Sequence, residues 1–307
     1  MTVALDTVQI SSKVARIQRH VVLRSNSVLI TIYGDAIAPR QQSVWLGSLI
    51  KLVSLFGLSA RLLRTSAARL TADQWFNAER VGRRSFYGLS DVGLQRVRHA
   101  DRRIYEFNLP QWDGQWTLVL LDASMKSSVR QHLKRELLWE SFGQLAPGIF
   151  THPHVDHNSL REILLATNSE HLVAVLSAKG IEQYSRGPLQ AVMHETFKLS
   201  SVETAWKQFI KRFEAVSQEI AELSPAEAFF VRTLLIHEYR RVLLRDPNLP
   251  EALLPPDWPG VRARRLCEAT YRELLAPSEQ FLQTHVETMD GALTKTPRAI
   301  TQRLSKA

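Results

Sequence analysis

Two groups of residues in this chain have types and spacing suited to chemistry. The first is cationic: Arg61, Arg64, Thr65, Ala68 and Arg69 lie close together, and Arg83 and Arg84 follow soon after them. Guanidinium groups address guanine N7 and O6 or phosphate oxygens, a threonine bonds a base edge or touches a thymine methyl, and an alanine permits close approach. The second group is His152-Pro153-His154-Val155-Asp156-His157. Imidazoles and a carboxylate at that spacing can hold a zinc pair whose bridging hydroxide attacks an ester or amide.

The cationic group needs a helix to become a surface, and the flanking sequence supplies one. Ser59 is a natural N-cap. At 100° per residue, Leu62, Leu63, Ser66, Ala67 and Leu70 fall on one side, Arg61, Arg64, Thr65 and Ala68 on the other, and Arg69 at the flank. The preceding stretch, Ser43-VWLGSLIKLVSLF-Gly57, predicts a supporting helix with Ser43 as N-cap, Gly57 as left-handed stop, and Trp45, Leu49, Leu52, Val53 and Phe56 as its buried stripe. An earlier helix is expected from Ser27 to near Pro39. Trp75-Phe76 and Ser85 to Leu89 predict two strands, joined by Arg80 to Arg84 with Gly82 making the reversal. Ser90 then caps a helix reaching about Phe107 and carrying Arg96, Arg98, Arg102 and Arg103. Helix, turn, helix and basic ribbon is the layout of a winged helix-turn-helix, with Arg83 and Arg84 placed for backbone or minor-groove contact.

Charge supports that reading. The first hundred residues hold 14 Lys and Arg against 5 Asp and Glu, while residues 101–307 hold 25 of each, so the whole excess of +9 sits on the segment with this pattern. Phosphate neutralisation supplies most nonspecific affinity for nucleic acid, and this asymmetry is its electrostatic footprint. At 307 residues with 45% apolar and 22% charged side chains, two or three domains with real cores are expected. The sequence predicts neither a membrane span nor a signal peptide. A lone Cys267 cannot form an internal disulfide and fits a cytoplasmic protein.

Farther along, Trp116 to Leu121, Gly148 to Thr151 and His171 to Ser177 read as strands, and Ser124 to about Phe142 and Ser159 to Ala166 as helices, a small ferredoxin-like α+β order. The rest is helical. Ser200-Ser201-Val202-Glu203 and Ser224-Pro225-Ala226-Glu227 read as capping devices, and a final helix is expected to end near Leu275, with order doubtful beyond Pro277. The predicted fold class is α+β, predominantly helical. Its divisions are a flexible arm (1–24) offering Lys13, Arg16, Arg19 and Arg24 to phosphates, a winged-helix DNA-binding domain (25–108), an α+β middle domain (109–196), a helical domain (197–280) and a tail (281–307).

The strings YGDA, WLGSLIKL, RLLRTSAARL and VGRRSFYGLSDVGL resemble the amino-terminal domain of the PaaX family, repressors of phenylacetic acid degradation operons. WDGQW, FGQLAPGIF, LIHEYRRVLLRDPNLPEALLPPDWPG and ARRLC resemble its middle and carboxyl-terminal signatures, over roughly residues 25 to 280 in all. The resemblance implies a homodimeric, non-enzymatic transcriptional repressor released from its double-stranded DNA operator by phenylacetyl-coenzyme A, with no cofactor. It also implies that the helical domain (197–280) is the effector and dimerisation domain.

The HxHxDH string also matches metallo-β-lactamase-like hydrolases, so a metal-dependent hydrolase or thioesterase using His152, His154, Asp156 and His157 is the alternative. That fold needs β-rich hairpins before the motif and further ligands after it, which this order of elements lacks. A protein-protein adaptor is a third reading. His237 reads as structural. Arg240, Arg241 and Arg245 suit coenzyme A phosphates or pairing with Glu238 and Asp246, so effector-binding residues stay unassigned.

Overall fold

The computed structural model describes residues 10–19, 21, 23–105, 112–180 and 191–303, with the side chains of Lys13 and Arg102 set aside. The readings placed on the first nine residues of the arm, on those two side chains, on a helix end at Phe107 and on the last four residues lie outside the described residues. The chain is a mixed α/β protein, mostly helical, with two antiparallel sheets among the described residues. It divides into two compact units, one from Met1–Phe107, Gln208–Arg240 and Val261–Ala307, the other from Asn108–Lys207 and Arg241–Gly260.

Among the described residues the first elements are α1 (Ser12–Gln18) and α2 (Ser25–Ile32), the latter continuing through a π turn (Tyr33–Ile37) and a 3-10 turn (Ala38–Arg40). Then come β1 (Val44–Trp45), α3 (Leu46–Ser54), α4 (Ala60–Ala72), β2 (Phe76–Val81), β3 (Arg84–Leu89) and α5 (Asp91–Tyr105). Ser43 is not the cap of α3. Val44 and Trp45 pair with Tyr87 and Phe86, and the Ser43 carbonyl accepts from the Met289 amide at 3.0 Å. Trp45 folds its ring over Gly47, where a Cβ would sit 2.5 Å from the indole.

In the second unit β4 (Gln115–Leu121), α6 (Ser127–Trp139), β5 (Gly143–Ala146), β6 (Ile149–His152), α7 (His157–Ala166) and β7 (Val173–Lys179) form a β-α-β-β-α-β succession. The antiparallel sheet runs β5-β6-β4-β7. The sequence reading missed β5, whose four residues are too short for a visible alternation and pair with β6 across the turn at Gly148. Val119, Leu133, Leu137, Phe142, Phe150 and Leu160 are among the side chains of this core.

Three long helices follow: α8 (Leu199–Ser217), α9 (Pro225–Leu243) and α10 (Pro259–His285). The Ser224-to-Glu227 box is realised: Ser224 N and Oγ donate to Glu227 Oε2 at 3.1 and 2.8 Å, and Glu227 N donates back to Ser224 Oγ at 3.3 Å. The Ser200 string is not a cap, because buried Leu199 extends the stripe of Val202, Trp206 and Phe209 backwards and takes Ser200 into the helix. Nor does α10 stop at Leu275. Pro277 sits inside it, at a cost of about 3 kcal/mol, offset by burial of Phe281 and Leu282 beyond it, where Glu279 also pairs with Arg40 and Arg232. The last elements among the described residues are β8 (Glu287–Thr288), β9 (Gly291–Ala292) and α11 (Arg298–Thr301).

These last strands complete the sheet of the first unit, ordered β2-β3-β1-β8-β9. β1 bridges the amino-terminal hairpin and the carboxyl-terminal one, pairing Val44 with Tyr87 on one side and Thr288 on the other. Sequence-distant helices share its core, where Phe56 stacks on Phe230 with ring centroids 5.0 Å apart.

Candidate nucleic-acid interface

The basic surface is built on two helices and a hairpin. Leu49, Leu52, Val53 and Phe56 of α3 and its end are buried, as are Leu63, Ser66, Ala67 and Leu70 of α4. Gly57, at φ +72°, makes the turn between them in a conformation that favours glycine. Ser59 caps α4 by accepting from the Leu62 amide at 3.3 Å. Outward from this packing lie Arg61, Arg64, Thr65, Ala68 and Arg69, all exposed, as the helical wheel requires. Leu62 departs from that reading: it is 52% exposed and shares the outer surface. The wheel places it at the margin of the apolar sector, and Leu63 takes the core position. Thr65 Oγ1 donates to the Arg61 carbonyl at 3.1 Å, so its proton is committed to the helix.

Six residue pairs, from Phe76 with Leu89 to Val81 with Arg84, set the hairpin register. Gly82, at φ +59°, takes the first position of the two-residue loop, the type II′ arrangement that matches strand twist. Arg83 is exposed at the tip. Arg84 is held differently: its guanidinium pairs with Glu287 and lies over the Trp45 ring, 4.8 Å from the centroid. Arg96 is likewise engaged, over Trp75 at 5.0 Å and donating to the Asp73 carbonyl at 3.2 Å.

The same unit holds a buried ion cluster that the sequence reading missed. Arg232 Nε is 2.7 Å from Asp35 Oδ2, and its Nη1 donates to Glu279 Oε1 at 2.7 Å. Asp35 Oδ1 also accepts from Tyr105 and Tyr271 hydroxyls at 2.7 and 2.9 Å. Arg40 pairs with Glu279, and Arg303 Nη2 donates to Asp101 Oδ2 at 2.6 Å. Three guanidiniums thus face three carboxylates. Burial raises the pKa of both phenols, so they stay neutral donors. Separations of up to 268 residues left no local signal to read.

The histidine string does not assemble a metal centre. His152 ends β6, is 7% exposed, packs 5.4 Å from Phe142 and accepts the His154 amide on Nδ1 at 3.0 Å. Asp156 is the N-cap of α7, accepting from Asn158 N at 3.0 Å and Ser159 Oγ at 3.2 Å. His154 and His157 are exposed. Among the described residues no group of three or more His, Cys, Asp or Glu is arranged to hold a metal ion. The string's spacing is explained by a strand end followed by a helix cap. His237 is structural: it is buried, with Nδ1 3.2 Å from Thr31 Oγ1.

Arg240 donates to Ser27 Oγ at 3.1 Å. Glu238 pairs with Arg212, and Asp246 Oδ2 accepts from the Trp206 indole at 2.6 Å. No helix among the described residues is long and apolar enough to cross a membrane.

These features define a mostly helical α/β protein that displays a basic helix-and-hairpin surface. The chain belongs to the PaaX family. Family models described as PaaX-like protein, PaaX protein central Cas2-like domain and PaaX-like protein C-terminal domain match residues 24–93, 109–190 and 197–284. The chain is 36% identical over 271 residues to the transcriptional repressor PaaX of Escherichia coli strain K12, covering 87% of this chain and 85% of that protein. In fold it is similar to the uncharacterized protein Rv0674 of Mycobacterium tuberculosis, with a TM-score of 0.51 and 23% identity over 83% of this chain and 98% of that one.

Proposed function

We propose that this protein is a DNA-binding transcriptional repressor, not an enzyme, whose reader is a winged helix-turn-helix with α4 as recognition helix and the β2-β3 hairpin as wing. The observation that carries the reading is the exposed cationic face of α4 beside a basic hairpin tip, in a relative of a transcriptional repressor. Arg61, Arg64, Thr65, Ala68 and Arg69 meet the major groove, and Arg83 meets the backbone or minor groove. Arg84 contributes less, because Glu287 neutralises it.

The middle unit, with its β5-β6-β4-β7 order, is read as a ferredoxin-like split β-α-β. A twofold homodimer would place two recognition helices about 34 Å apart, or a multiple of that, to read half-sites. The effector is phenylacetyl-coenzyme A, from a phenylacetate catabolic setting, and it acts by preferring the conformer whose helix spacing mismatches the operator. Its site stays unassigned. An open cleft of about 560 Å³ lined by Thr71, Gln74, Asn77, Ser90 and Asp91 places a carboxylate rather than a cation where phosphates would have to bind.

The test is a titration of the protein–operator complex with phenylacetyl-coenzyme A and phenylacetate in parallel. Release by the thioester alone is expected. Persistence of the complex at saturating thioester would refute the effector assignment.

A further inference from the structure

We infer that Leu62 and Thr65 make α4 a reader of thymine, by contact with the 5-methyl groups that thymine presents in the major groove. This rests on the assignment of α4 as recognition helix. Leu62 lies in the first turn of α4, where a recognition helix brings its residues nearest the base edges. It is 52% exposed between Arg61 and Arg64, on a helix whose sequence, Ala60 to Ala72, contains no carboxylate. Arg61, Arg64 and Arg69 supply the charge complementarity that seats this helix against phosphates, so a leucine among them meets a groove rather than a protein partner.

Chemistry then narrows the feature it meets. A leucine neither donates nor accepts, and the apolar group on a base edge of the major groove is the C5 methyl of thymine. Thr65 is three residues on and therefore next to Leu62 on the helix surface. With its hydroxyl proton given to the Arg61 carbonyl at 3.1 Å, Thr65 has none for a base acceptor and offers its methyl instead. The two residues form one apolar contact flanked by guanidiniums, which suits a half-site with thymine beside guanine or phosphate contacts.

The experiment uses the full chain and a duplex selected with it from a randomised library. Each thymine of that duplex is replaced in turn by deoxyuridine, which lacks only the methyl. Affinity is measured for wild type, Leu62→Ala and Thr65→Ser. At one or two positions the wild type should lose about fourfold per methyl removed, the effect of one buried methyl-sized group. That penalty should shrink towards unity in Leu62→Ala at one position and in Thr65→Ser at the same or the neighbouring one. Equal deoxyuridine penalties in all three proteins, or none anywhere in a tightly bound duplex, would overturn the inference while leaving the recognition helix in place. Failure to bind any duplex at low salt would remove the underlying reading as well.

Discussion

Arg84, at the foot of the hairpin tip, is paired with Glu287, which lies 203 residues later on β8. The carboxyl-terminal hairpin thereby masks one of the charges on the amino-terminal one. Both side chains are about half exposed, so the pair adds little stability. Its effect is on the field presented to a polyanion. Glu287→Gln should leave the melting temperature nearly unchanged and tighten nonspecific duplex binding at low salt by a few fold, with one more phosphate contact in the salt dependence. Unaltered binding in a gel-shift series would show that Arg84 faces away from DNA.

The Asp35 cluster makes a contrasting prediction. Arg232 is 1% exposed and touches both Asp35 and Glu279. Its removal leaves two buried carboxylates without their shared cation, and Arg232→Met should therefore destabilise by about 3–5 kcal/mol. Urea denaturation followed by tryptophan fluorescence measures this. A loss below about 1 kcal/mol would mean that the cluster relaxes or hydrates on losing the arginine.

The same connections predict that residues 1–107 do not fold alone. That fragment lacks β8, which pairs with β1, and it lacks Arg232, Tyr271 and Arg303, which surround Asp35. The isolated fragment should show no cooperative thermal transition and rapid proteolysis. A sharp transition near that of the full chain would show that this segment is self-sufficient.

Asp101 sets a pH dependence. Burial raises its carboxyl to about 6, against the lowering influence of Arg303. A carboxyl that binds its proton more tightly when folded than the unfolded value of about 3.9 contributes stability below that value, and this contribution is lost as pH rises through about 6. Melting temperatures of wild type and Asp101→Asn, compared between pH 4.5 and 7, should shift in favour of the asparagine variant as pH rises. A pH-independent difference would place the Asp101 titration outside this window.

Much of the amino-terminal helix-and-hairpin segment was legible in the sequence because its signals are local. Ser59 and Gly57 punctuate α4 and the turn, the 100° wheel sorts Arg64 from Ala67, and Gly82 marks the hairpin reversal. Errors arose where distant chain decides. Ser43 and Trp45 have the types and spacing of a helix start, yet Phe86, Tyr87 and Thr288 draw Val44 and Trp45 into a sheet. Pro277 reads as a stop, but burial beyond it carries the helix on. The HxHxDH string was legible as a pattern, and what occupies it is a strand end followed by a helix cap: His152 packs on Phe142 and Asp156 caps α7.

The central claim is that α4 and the hairpin tip form one DNA interface. The most direct measurement is the affinity of wild type, Arg64→Ala and Arg83→Ala for a palindromic promoter duplex and for unrelated DNA across a range of salt. Arg64→Ala should weaken specific binding more than nonspecific binding. Arg83→Ala should weaken both and reduce the slope of log affinity against log salt by about one. Unchanged affinity and slope in both variants would contradict the assignment.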